Sequence, residues 1–166
     1  MKIWAYGDTH IGTIATLMEL ELAPDFSKCA SFCELVKQER PDTVICVGDF
    51  IESIWDTEAE LLASHGETIS NLRKVTHHFL SGNHDRGNLD SLTLAGILFL
   101  HGHQWERADD GYIERLHLKA NKQPGFTVIG HTHSSCLGEN FMDVGSLTLN
   151  GTFGEIIDST KQLRKI

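Results

Sequence analysis

Cysteine is scarce in this chain of 166 residues: Cys29, Cys33, Cys46 and Cys136 make up the whole complement, and no two of them form a C-x-x-C pair. A disulfide framework and a thiolate zinc ribbon are thereby excluded, and the thiols read as small buried groups in a reducing compartment. Long apolar runs are missing too. None approaches the roughly 20 residues that a membrane-spanning helix needs. The first residues already follow a strand pattern, without a basic region, an apolar signal core or a small-residue cleavage site, so the expected location is the cytoplasm. Basic charge is in deficit, with Lys and Arg at 14 against 23 for Asp and Glu and a formal net charge of −9. No broad basic surface is left, which argues against tight non-specific nucleic-acid binding. Repeats, low-complexity segments and linkers are absent as well, so residues 1–166 are expected to form a single domain with its own core.

The apolar content of 40% is ordinary for a globular protein, and its distribution is informative. Met1 to Tyr6 and the β-branched stretch Thr43 to Val47 read as buried strands. Between them, Thr13 to Glu21 is open between a short helix and an ordered loop, and Phe26 to Arg40 has helical spacing and stops before Pro41. A second helix is expected over Thr57 to Arg73, with Gly66 as a weak point. His77 to Leu80 reads as a short strand, Ser91 to Leu94 and Ile97 to Leu100 as a hairpin around Ala95-Gly96, and Tyr112 to Ala120 as a helix. Phe126 to Ile129 is a further buried strand. Phe141 to Gly145, Thr148 to Asn150 and Ile156 to Asp158 complete a series of short strands, and Lys161 to Ile166 is open between a terminal strand and a tail. An early β-α-β-α-β order followed by crowded short strands predicts a mixed α/β fold of two packed sheets flanked by helices.

Five strand-to-loop junctions carry the chemistry: Gly7-Asp8-Thr9-His10, Gly48-Asp49-Phe50-Ile51-Glu52, Gly82-Asn83-His84-Asp85, His101-Gly102-His103 and Gly130-His131-Thr132-His133. Side chains two apart on an extended segment point the same way, so Asp8 with His10, and His131 with His133, can each face one cavity. Asp49 offers two oxygens able to bridge two ions, Asn83 offers an amide oxygen, and the histidines offer imidazole nitrogens. His101 is preferred to His103 because it comes directly off its strand. His65, His77, His78 and His117 lack such a setting and read as scaffold residues. Imidazole, carboxylate and amide together suit first-row ions such as Mn²⁺, Fe, Ni²⁺ or Zn²⁺ rather than Ca²⁺. Two divalent ions, two carboxylates and one hydroxide leave about +1 in the cavity, enough to attract a phosphate ester to an acidic protein.

In this order the five blocks resemble the calcineurin-like metallophosphoesterase family, with Val144-Gly145-Ser146 similar to the Gly-Ser element that follows in its compact members. The resemblance implies an α/β, four-layer α-β-β-α sandwich of two mixed β-sheets flanked by helices. It also implies two divalent metal ions per chain, Mn²⁺ first among the candidates. Asp8, His10, Asp49 and His133 would hold one ion, and Asp49, Asn83, His101 and His131 the other. His84 would face the substrate as general acid, with Asp85 orienting it and Glu52 nearby; Asn83 and His84 would contact the phosphate, while Arg86 either joins them or stays solvated. The implied reaction is hydrolysis of a small phosphate ester, a diester before a monoester, by hydroxide formed at the metals. About thirty residues separate His101 from His131, too few for a helical lid. The alternative is a metal-stabilised scaffold that binds a partner protein without turnover, as in the retromer subunit of this fold. Either reading leaves the oligomeric state open.

Overall fold

Most of the strands read from the sequence, joined by one that was not, pair into two five-stranded sheets in a computed structural model of the chain, which describes residues 1–12, 24–54, 56–85, 89–106 and 109–166. Thr13 to Glu21 lies outside the described residues. The first sheet runs β10-β9-β1-β2-β3, from Thr160–Lys165, Thr152–Ile157, Lys2–Tyr6, Thr43–Cys46 and His78–Phe79. The second runs β4-β5-β6-β8-β7, from Ser91–Leu94, Ile97–Leu100, Phe126–Ile129, Phe141–Val144 and Ser135–Leu137. Within the first, β1, β2 and β3 are parallel and β9 and β10 antiparallel additions. Within the second, β5, β6 and β8 are parallel, flanked by antiparallel β4 and β7. Both sheets are therefore mixed, as expected.

Alternation along β1 builds the layers. Ile3 and Ala5 join Ile45, Val47, Phe99, Val128, Met142 and Val144 in the core between the sheets. Trp4 and Tyr6 point the other way, into a second core with α1 (Ser27–Glu39) and α2 (Glu58–Val75). There Trp4 packs on Phe153 with ring centroids 4.8 Å apart and donates its indole N–H to Glu155 at 2.7 Å, so the large ring is buried without a stranded polar group. On the far side α3 (Tyr112–Asn121) covers the second sheet through Leu116 and Ala120. Helices, sheet, sheet and helix make the four layers.

Helix boundaries follow from their end residues. Thr57 and Glu60 close a capping box at the start of α2, and α1 ends with Arg40 in left-handed conformation ahead of Pro41. The weak point anticipated at Gly66 is real, since neighbouring His65 leaves helical geometry at φ −132°.

Three readings need correction. Thr148 to Asn150 is a turn rather than a strand, because Thr148 Oγ1 donates to the Thr9 carbonyl and the Asn150 N–H turns back to Ser146. The strand placed at Ile156 to Asp158 starts earlier, at Thr152. Ser135–Leu137 forms an edge strand that three residues of sequence did not announce.

Candidate metal centre

All five junctions follow the C-terminal ends of parallel strands, three in the first sheet and two in the second, so the topology carries their loops to one edge. The loops are bent there. Of eight described non-glycine residues with positive φ, Asp8, His10, Asp49, His131 and His133 are five. Such backbone costs on the order of 1 kcal/mol per residue and persists only where surrounding bonds over-determine it. Those bonds are present. The backbone N–H groups of Asp8 and His10 donate to the carbonyls of Gly48 and Asp49, both at 3.0 Å. Ser146 Oγ donates to the Asp8 carbonyl at 2.6 Å, and the His131 N–H donates to the Asp8 carboxylate at 3.0 Å. At position 82 only glycine fits, because a Cβ would fall on the Asp49 carboxylate and backbone nitrogen.

Three imidazoles are fixed at one nitrogen and leave the other to the cavity. His101 is held through Nδ1 by the Val47 carbonyl at 3.2 Å, and its Nε2 lies 3.1 Å from Asp49 Oδ2 and 3.2 Å from Asn83 Oδ1. His10 is held through Nδ1 by Glu52 Oε2 at 3.1 Å, and its Nε2 faces His133 Nε2 at the same distance. His84 is held through Nδ1 by Glu52 Oε1 at 2.8 Å. A ring nitrogen bonded to a carbonyl or carboxylate carries a proton, so in the neutral form of His10 and of His101 it is the opposite, cavity-facing lone pair that a cation would take.

Donor atoms converge into groups compact enough for an ion: Asp8 with His10 and His133, and Asp49 with His101 and His131. Asp49 Oδ2, 3.5 Å from His10 Nε2 and 3.1 Å from His101 Nε2, touches both. His10 and Asp49 also approach His84 in a third, overlapping group. The electrostatics fit a cation as well. Burial, helped by the His10 charge, depresses His133 to about 3, and burial with the His101 charge depresses His131 to about 4, so both rings are neutral and able to ligate a cation. Burial pushes the Asp8 carboxyl upward, the response of an enclosed carboxylate short of positive charge. For Asp49 burial acts the same way, but the His101 charge beside it prevails and its carboxyl is held below the usual range. The buried Nε2 of His131 has no hydrogen-bond partner among the described residues. An enclosed imidazole nitrogen with no hydrogen-bond partner is a donor suited to a metal ion.

The structure thus brings Asp8, His10, Asp49, Asn83, His84, His101, His131 and His133 together. His103 stands outside the donor groups, its ring centroid 5.3 Å from that of His101 and 6.4 Å from that of His131. Arg86 lies outside the described residues. One role changes: Asp85 does not orient His84. Its carboxylate accepts the backbone N–H groups of Gly82 at 2.7 Å and Phe50 at 2.5 Å, pinning two of the loops, and Glu52 occupies the place expected for it. Asp143 was not singled out from the sequence, yet it is buried beneath the Gly130–His133 loop and accepts the Thr132 hydroxyl. Its position within an apolar strand was the available signal.

The Metallophos family, described as Calcineurin-like phosphoesterase, matches residues 1–149. No curated protein matches the sequence significantly. Among solved structures, the chain is similar to the phosphoesterase YfcE from E. coli at 15% identity, covering 99% of this chain and 93% of that one with a TM-score of 0.62. It is similar to a metallophosphoesterase from Sphaerobacter thermophilus at 14% identity, covering 100% and 88% with a TM-score of 0.61. The nuclease MPE from Pseudomonas putida matches at 18% identity, covering 97% and 82% with a TM-score of 0.55. At these identities the structural likeness speaks for the fold.

Proposed function

This chain belongs to the calcineurin-like phosphoesterase family, whose members hydrolyse phosphate esters, and from that premise we propose that it is a dinuclear metal-dependent phosphodiesterase. The observation that carries the reading is Asp49, whose Oδ2 lies 3.5 Å from His10 Nε2 and 3.1 Å from His101 Nε2 and so reaches one histidine of each donor group. Asp8, His10, Asp49 and His133 would hold one ion; Asp49, Asn83, His101 and His131 the other, Mn²⁺ suiting the mixture of imidazole, carboxylate and amide. When bound, such ions lower the pKa of coordinated water and neutralise phosphoryl oxygens.

The chain's own residues do the rest. Asn83 and His84, carried by the turn that Asp85 pins, face the phosphoryl group. His84, anchored by Glu52 through Nδ1, presents its opposite nitrogen to the leaving oxygen and donates the proton there. Burial lowers the proton affinity of His84, but the Glu52 hydrogen bond and the Asp49 charge outweigh it, so the ring holds its proton above the ordinary histidine range, as an acid requires. A diester is preferred to a monoester on the resemblance of the five sequence blocks to the compact phosphodiesterase members of the family.

The substrate is a small phosphate ester, and no helix among the described residues is long and apolar enough to cross a membrane. Free thiols, three of them buried, accord with the cytoplasm. The test is turnover of bis(p-nitrophenyl) phosphate and p-nitrophenyl phosphate with Mn²⁺ and with chelator. Diester hydrolysis that stops on chelation supports the proposal, whereas metal-loaded protein that turns over neither ester would favour the scaffold reading.

A further inference from the structure

Thr132 sits between His131 at φ 75° and His133 at φ 56°, a tripeptide bent into left-handed backbone on both sides of its centre. Each residue is bolted to a different element. The His131 N–H donates to Asp8, and the His133 carbonyl accepts the Asn150 amide at 2.8 Å. In the middle, Thr132 Oγ1 donates to Asp143 Oδ2 at 2.6 Å and accepts the Ser134 N–H at 3.0 Å. Asp143 is fully buried on β8, where an ionised carboxylate is tolerated only with its oxygens satisfied. They are. His117 Nε2, on α3, reaches Oδ2 at 2.9 Å, and the Gly145 N–H reaches Oδ1 at 3.1 Å. The His117 side chain is 20% exposed, so a line of hydrogen bonds runs from the protein's outer helix through a buried carboxylate to the loop between two candidate ligands.

We propose that the Asp143–His117 pair is a positioning device for the metal centre: it clamps the Thr132 hydroxyl and thereby aims His131 at one ion and His133 at the other. The inference rests on the ligand assignment proposed above and goes beyond it by naming what holds the two ligands apart. Without the clamp the strained tripeptide relaxes, and because its two histidines belong to different donor groups, the loss falls on the pairing of the ions.

The test uses the full chain, stripped with chelator and titrated with Mn²⁺. Calorimetry counts the equivalents bound, electron paramagnetic resonance reads exchange coupling between neighbouring ions, and the melting temperature of the metal-free protein is measured alongside. Thr132→Val removes only the hydroxyl, Thr132→Ser restores it, and Asp143→Asn removes the charge. The first and third variants are expected to lose at least about tenfold in affinity for one equivalent, together with the coupled signal, the penalty typical of groups that support metal-bound histidines; Thr132→Ser keeps both. Wild-type affinity and coupling in Thr132→Val would overturn the proposal. So would a lowered metal-free melting temperature with unchanged metal binding, which would leave the pair a purely structural role. Should Asp143→Asn fail to fold, Thr132→Val decides the matter. A wild-type protein binding one equivalent would contradict the dinuclear assignment and this proposal together, whereas two equivalents in wild type and an indifferent Thr132→Val would remove this proposal alone.

Discussion

Replacing Glu52 by glutamine tests the catalytic geometry at its most economical point. One buried carboxylate serves two histidines, with Oε1 2.8 Å from His84 Nδ1 and Oε2 3.1 Å from His10 Nδ1. An amide has one acceptor oxygen and one donor nitrogen. In Glu52→Gln one imidazole must therefore lose its acceptor or change tautomer. A hydrogen bond to a charged group contributes about 1.5–3 kcal/mol, which at about 1.4 kcal/mol per decade is a loss of roughly 10- to 100-fold in kcat. The pH profile supplies the sign. A general acid works protonated, so kcat falls as pH rises through its pKa; Glu52 raises that pKa, and its removal moves the fall to lower pH. Leaving groups separate this effect from damage to the metals. An alkyl phosphodiester needs the proton and should show the full loss, whereas a p-nitrophenyl ester, whose phenolate departs readily, should show about a tenth of it. Equal losses on both esters, or a wild-type profile, would refute the role given to His84 and Glu52.

Asp49→Ala should bind fewer than two ions per chain, since its Oδ2 lies within 3.5 Å of both His10 and His101; elemental analysis giving two would contradict the bridging role. Gly82→Ala drives a methyl group into Asp49 and is expected to lose on the order of 100-fold in kcat, the usual result of misplacing a site by about an ångström. Far from the site, Glu39 is held at about 2, below its ordinary 4.5, by hydrogen bonds from Arg164 and Lys2. Its contribution is present above the unfolded value and disappears as pH falls through the folded one. Glu39→Gln should therefore cost about 1 kcal/mol at pH 7, the partly exposed pair being screened, with the gap to wild type closing between pH 4.5 and 2 in denaturant titrations.

The sequence carried the strand-to-loop junctions because parallel buried strands are dense apolar runs, and a polar cluster straight after one has few places to go except the sheet edge. Asp8, His10, Asp49, His101, His131 and His133 were legible for that reason. The role expected for Asp85 was carried over from the family resemblance, whereas the tight turn aims that carboxylate back at backbone N–H groups. Glu52, distant from His84 in sequence, gains its place from the parallel register of β1 and β2, which brings the Ile11 and Ile51 backbones into a bridge and Glu52 beside His10. Thr148 to Asn150 misled through composition, its threonine and leucine reading as strand while their turn is set by bonds to a loop far away in the chain. Asp143 shows the same limit, since nothing local marks an aspartate in a strand as the partner of a helix on the sheet's outer face.

Soaking crystals in Mn²⁺ and recording anomalous differences at the manganese edge addresses the central claim most directly. Two peaks about 3.5–4 Å apart are expected, with Asp49 between them, Asp8 and His133 at one and His101 and His131 at the other. A single peak, or a pair with Asp49 outside it, would contradict the dinuclear centre.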